Sequence, residues 1–221
     1  MSPVFSPTQA RMNLFLNALT IFLGITAFLY KANYEGSAVS CLREMTCDGT
    51  LFAVLVAAII SVQRILELMK KKSLPSRVCY FLHLSSAVTE ALILMVVLIG
   101  LLPFVKDKPV FARYDMINMH VIVPLITMFS FVRYACYPGE LKPRYRLNGL
   151  IFIILYAVTM ITLILLNVVP EEKIPYSFLN VRKAATWYLI VAGLAAATIS
   201  MFFSTLFTDL NQRRHRITEA S

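Results

Sequence analysis

A threonine hydroxyl attacks an ester only when a neighbouring base takes its proton, and a neutral imidazole is the usual base. The chain has three histidines, His83, His120 and His215. His120 stands among Arg113, Asp115 and Asn118, while Thr46 stands between Arg43 and Asp48. Thr46 and His120 can supply a nucleophile and base for acyl transfer. Each also has a plainer reading. Thr46 can be a helix N-cap, a job for which Asp48 and Thr50 compete, and a lone histidine at a membrane interface can be a hydrogen-bonded structural residue. Glu90 is a third candidate, because a carboxyl group with apolar or small residues on either side is costly in a membrane unless paired, protonated or facing a polar cavity. It reads either as a proton or ion relay or as a neutral group hydrogen-bonded to Ser86.

The elements that must position these residues follow from composition. Of 221 residues, 58% are hydrophobic and 15% charged, and the mean hydropathy is +0.71. A core of this size cannot hide so much apolar surface, so lipid must solvate it. Apolar runs long enough to cross a hydrocarbon layer of about 30 Å occur at residues 12–30, 50–68, 78–102, 116–132, 147–169 and 184–207. Lipid offers no partners to backbone N–H and C=O groups, so each run must be a helix. The expected fold class is all-α, a single polytopic membrane bundle of six transmembrane helices over residues 1–221. The first run is too long for the core of a cleavable signal and reads as a retained anchor.

Orientation comes from the basic residues. The N-terminus, the second and fourth loops and the C-terminus carry 13 Lys and Arg, and the other three loops carry 8. The richer side is expected to be cytoplasmic, with both termini inside. Lys70-Lys71-Lys72 and Arg213-Arg214-His215-Arg216 then meet anionic lipid. Membrane lipid is the expected partner and nucleic acid is not, since the basic residues punctuate spans instead of forming one surface. The expected location is a bacterial cytoplasmic membrane, with a eukaryotic endomembrane as the alternative.

Orienting the helices gathers the polar residues at one rim. Arg43, Thr46 and Asp48 fall where the second helix begins, Arg113, Asp115, Asn118 and His120 where the fourth begins, and Ile174 to Asn180, with Tyr176, before the sixth. If Arg64 and Pro138 mark the inner ends, Thr46 and His120 both stand about 27 Å above that boundary. Measured from Lys70 and Arg133, their levels differ by about three turns. Pro124 has no N–H to give the carbonyl of residue 120, so a kink is expected at His120.

Three segments carry a resemblance: Met45-Thr46, Asn118-Met119-His120-Val121-Ile122-Val123-Pro124-Leu125, and Ile174-Pro175-Tyr176-Ser177-Phe178-Leu179-Asn180-Val181. In that order they resemble the androgen-induced-protein-like membrane family. It includes vertebrate threonine hydrolases of fatty acid esters of hydroxy fatty acids and six-span bacterial proteins, to which this chain is closer. The similarity runs from the first helix to the sixth, and its most specific parts are His-x-x-x-Pro-Leu and Pro-Tyr-x-Phe-Leu. It implies that Thr46 is the nucleophile and His120 the essential histidine, acting on a lipid-like ester. Bacterial relatives often have an aromatic residue before the threonine and a Ser-Asn pair soon after; here those places hold Met45 and Gly49-Thr50. Oxyanion or substrate-binding candidates by placement are Arg43, Asn118, Tyr176 and the first N–H groups of the second helix, and Asp115 or Asp48 can orient His120.

The rival to a hydrolase is a small proton-coupled transporter, or a membrane protein without enzymatic activity, with Glu90 as its intramembrane polar group. Six spans show no inverted repeat. No metal or other cofactor is expected, because His83 and His120 differ in depth by roughly 15 Å and cannot share one ion. Cys41 and Cys47 lie close enough in sequence for a disulfide at the rim, while Cys79 and Cys136 fall at inner helix ends and are expected to stay reduced.

Overall fold

The structure, a computed structural model, describes residues 7–69, 76–101, 112–137, 141–176, 179–182 and 186–220. Lys70, Lys71, Lys72, Pro138, Ser177 and Phe178 lie outside these residues, as do the side chains of His215 and Arg216. The elements in chain order are α1 (Pro7–Tyr34), α2 (Ala38–Cys41), α3 (Met45–Leu68), α4 (Ser76–Met95), α5 (Tyr114–Ile117), α6 (Val123–Tyr134), α7 (Ile151–Leu165) and α8 (Thr186–Ala220). A π-helical turn, Val96–Leu101, extends α4, and another, Asn118–Ile122, joins α5 to α6. A 3₁₀ segment, Pro143–Leu150, leads into α7. There is no strand among the described residues. Six helices are long and apolar enough to span a membrane, so the chain is an all-α integral membrane protein.

α4 is the hub. In its most apolar stretch 67% of residues are buried, against 11% in α8, which therefore presents most of its surface outward. Tyr80, Leu84, Ala87, Val88 and Ala91 of α4 pack with Phe131 of α6 and Phe207 of α8. α1 lies close along α3 because Gly24 has no side chain: a Cβ there would stand 2.5 Å from Val54 Cγ2. Gly149 lets α8 approach in the same way, with Ser204 Cβ at 2.8 Å from the position a Cβ would take. A buried polar knot ties the ends opposite Thr46: Asn13 Nδ2 donates to Ser130 Oγ at 3.1 Å, and Arg64 donates to Asn13 Oδ1, to the Tyr134 carbonyl and to Glu67. Asn211 of α8 donates to the carbonyls of Phe131, Val132 and Ala135, closing the last turn of α6.

Several helix limits differ from the sequence reading, with α1 running Pro7–Tyr34 against 12–30 and α8 ending at Ala220 against 207, and two of the differences have local reasons. The second span starts at Met45 instead of residue 50, since Thr46, Cys47 and Gly49 are buried although they read as a loop. The fifth stops at Leu165 instead of residue 169. Asn167 adopts φ +59°, and the N–H groups of Asn167 and Val168 turn back to the carbonyls of Ile164 and Leu163, the hydrogen-bond pair of a Schellman stop.

Candidate active site at the bundle rim

The rim site begins with how α3 starts. Its N-cap is Glu44, which makes no side-chain cap, and Thr46 lies inside the first turn. Thr46 therefore does not serve as the cap that its residue type suggested. It is buried, and the phenol of Tyr176 hydrogen-bonds its hydroxyl. Burial pushes Tyr176 up to about 12. Tyr156 of α7, which sequence reasoning missed because it reads as one more apolar position, donates to the Arg43 carbonyl at 2.7 Å. Both phenols also meet the Met45 backbone. The start of α3 is thus held by two tyrosines, one on α7 and one on the segment that follows it.

The direction of Thr46 follows from helix geometry. Arg64 is eighteen residues further on, about five turns, so the two share a face of α3. Arg64 uses that face to reach Asn13 of α1 and the Tyr134 carbonyl of α6. By that spacing Thr46 stands at the rim end of the Arg64 face, and the partner its hydroxyl takes there is Tyr176.

His120 stands on the π turn leading into α6. Pro124 cannot donate a hydrogen bond, and Val123 N–H reaches back five residues to the Asn118 carbonyl, so the expected kink takes the form of a widened turn. Such turns recur at functional sites. His120 is 5% exposed, and its Nδ1 lies 3.0 Å from the Met116 carbonyl. A carbonyl only accepts, so the neutral ring carries its proton on Nδ1 and presents the Nε2 lone pair. Beside His120, Met119 packs with Cys47, Ala27 and Cys41, which brings the rim ends of α1, α3 and the π turn into contact. Lys31 lies within electrostatic reach of both Cys47 and His120 and bridges Glu44 at 2.6 Å and Glu35 at 3.3 Å.

The other candidates take definite partners. Asp115 is wholly buried and pairs with Arg113 at 2.6 Å, instead of hydrogen-bonding His120. The carboxylate holds the Arg113 guanidinium above its ordinary range, and Arg113 also lies 3.8 Å from the Tyr34 ring centroid. Asn118 Nδ2 donates to the Tyr114 carbonyl at 2.7 Å, a bond within its own helix. Arg43 and Glu44, with Glu172, Lys173 and Pro175, line a pocket of about 260 Å³ beside Tyr176. Glu90 is deeper and fully buried; neither of its oxygens has a partner, so the hydrogen bond to Ser86 that one of its two sequence readings offered is not formed. Cys41, Cys47, Cys79 and Cys136 are free thiols, so the rim disulfide that the Cys41–Cys47 spacing allowed is not formed, and Cys41 donates a hydrogen bond to Glu35. Burial pushes the Cys41 thiol up to about 11. No group of three His, Cys, Asp or Glu gathers as a metal site among the described residues. Compared with known protein families, with curated proteins and with solved structures, the chain matches none.

Proposed function

We propose that this protein is an intramembrane hydrolase of acyl-lipid esters, of the fatty acid ester of hydroxy fatty acid type, working in a bacterial cytoplasmic membrane. Thr46 is the nucleophile and His120 the base. The observation that carries this reading is the fixing of His120 by Met116, which presents Nε2 from the π turn at the same rim as Thr46. The resemblance at the two segments around His120 and Tyr176 supports it.

The reaction has two halves. Nε2 of His120 takes the Thr46 proton as the hydroxyl oxygen bonds to the ester carbonyl carbon. The tetrahedral adduct then expels the alcohol, which receives that proton, and the acyl group remains on Thr46. Water repeats the sequence on the acyl-enzyme: His120 accepts its proton and returns it to Thr46 as the free acid leaves. The uncapped N–H groups of the first turn of α3 and the Tyr176 phenol are the donors for the oxyanion. Arg43, at the polar pocket, holds an anionic substrate end.

The test is covalent labelling by a lipid-like fluorophosphonate. Wild type should be labelled, and Thr46→Ala and His120→Ala should not. Failure of folded wild-type protein to react with any such probe overturns the reading.

A further inference from the structure

Most of the polar side chains left without partners in the bundle interior fall in one region; Tyr80 Oη, near the other end of α4, is the exception among the described residues. Thr50 Oγ1 of α3, Ser86 Oγ and both oxygens of Glu90 on α4, and Thr127 Oγ1 of α6 are all enclosed and unpaired, and so is Asn17 Nδ2 of α1. Buried polar groups in folded proteins normally have partners, so several unpaired in one region mark a place built for something.

Contacts between neighbouring residues set their levels. Asn13 meets Ser130; one turn nearer the rim on each of these antiparallel helices are Asn17 and Thr127, which therefore stand together. The His83 ring packs edge-on against Phe131, with centroids 5.3 Å apart. Ser86 and Thr127 lie a turn rimward of that pair, and Glu90 and Pro124 two turns rimward, on the same facing sides. A Cβ on Gly49 would stand 3.1 Å from Thr89 Cγ2, so Thr50 is level with Glu90. Pro124 also leaves a carbonyl of the preceding π turn without its helical N–H.

We propose that Glu90, Ser86, Thr50, Thr127 and this freed carbonyl form an internal site for a small monovalent cation, either Na⁺ or a proton taken up by the Glu90 carboxylate. One carboxylate among neutral oxygens matches a single positive charge, and carbonyls released at an interrupted helix are a recurring way to hold Na⁺ or H⁺ in membranes. A divalent ion needs more acid ligands than gather here among the described residues. The basic side chains do not compete for Glu90: Lys31 is engaged by Glu44 and Glu35, and Arg64 by Glu67. The other titratable groups on the helices around it include Cys47 and Asp48 on α3, Tyr80 and His83 on α4, His120 on the π turn, Tyr134 on α6 and Tyr156 on α7; of these, Asp48 adjoins Gly49, which packs on Thr89 beside Glu90. The site is independent of Thr46 chemistry.

The experiment uses the full chain in lipid nanodiscs, wild type beside Glu90→Gln. Thermal unfolding in NaCl against choline chloride at fixed pH reads the sodium arm, where wild type should gain several degrees saturably and Glu90→Gln should gain none. Infrared spectra against pH read the proton arm, where a protonated-carboxyl band should titrate in wild type and be missing from Glu90→Gln. If Glu90→Gln does not fold, Thr127→Val removes one ligand oxygen and should weaken either response severalfold. Wild type that shows neither response overturns the proposal, and so does a response fully kept in Glu90→Gln. Probe labelling at Thr46 is a separate readout, so loss of one reading leaves the other standing.

Discussion

Nδ1 of His120 lies 3.0 Å from the carbonyl oxygen of Met116, one turn back in the same helical segment. That bond fixes which nitrogen is the base. Replacing His120 by Gln keeps a polar side chain of similar reach but no base, and general-base catalysis contributes typically about 10²–10⁴-fold. We expect the rate of probe labelling of Thr46 to fall by about two orders of magnitude or more in His120→Gln, with the unfolding temperature little changed. Labelling at the wild-type rate would remove His120 from the mechanism.

Arg113 and Asp115 make a prediction about stability. Asp115 is wholly buried, so losing Arg113 strands a charge, whereas Asp115→Asn in the same chain removes that charge. Arg113→Met should cost about 1–3 kcal/mol, and Arg113→Met with Asp115→Asn should recover part of it. Thermal denaturation of the two variants decides; equal losses would mean that the pair is not what holds the rim.

Gly149 admits α8. In Gly149→Ala the new Cβ would fall 2.6 Å from Ser204 Oγ and 2.8 Å from its Cβ, which belongs to a helix and cannot swing aside. The hydrogen bond from Ser204 to the Arg146 carbonyl should break as α8 shifts. Overpacking of this kind costs typically about 1–3 kcal/mol. Ser204→Gly should restore most of the loss, and a denaturation series in detergent measures both; a neutral Gly149→Ala would show that the contact is looser than described.

Tyr176 predicts a limb of the pH profile. Burial pushes its phenol up to about 12, so in the window from the ordinary tyrosine value near 10 to about 12 the folded chain keeps a proton that the unfolded chain has lost. The stability it contributes is complete below the ordinary value and is lost as pH rises through 12. Melting temperature should therefore fall more steeply above pH 10 in wild type than in Tyr176→Phe. Parallel curves would falsify this account of Tyr176.

The apolar runs showed the six spans directly, because lipid leaves helices as the only answer to that much continuous hydrophobicity. Pro124 similarly announced a disturbance at His120, since a missing N–H is a property of the residue itself. Legibility failed where packing decides. Met45 to Gly49 looked like a loop because Thr, Cys, Asp and Gly carry no apolar period, yet Gly49 is the point at which α4 comes close. The bonds from Lys31 to Glu44 and from Tyr156 to Arg43 join residues whose nearness depends on how helices cross, which no spacing along one helix contains. Of the proposed pair, spacing suggested a shared rim and placed Tyr176 there; the brace from Tyr156 came only with three dimensions.

The amide of Asn211 fastens the last turn of α6 from another helix, some eighty residues later in the chain. Until the final span has been synthesised and inserted, those carbonyls have only water or lipid headgroups to turn to. The finished arrangement is thus available only to a complete polypeptide, and a product truncated before residue 211 should be recognisable to quality-control proteases by the frayed end it leaves on an otherwise well-made helix.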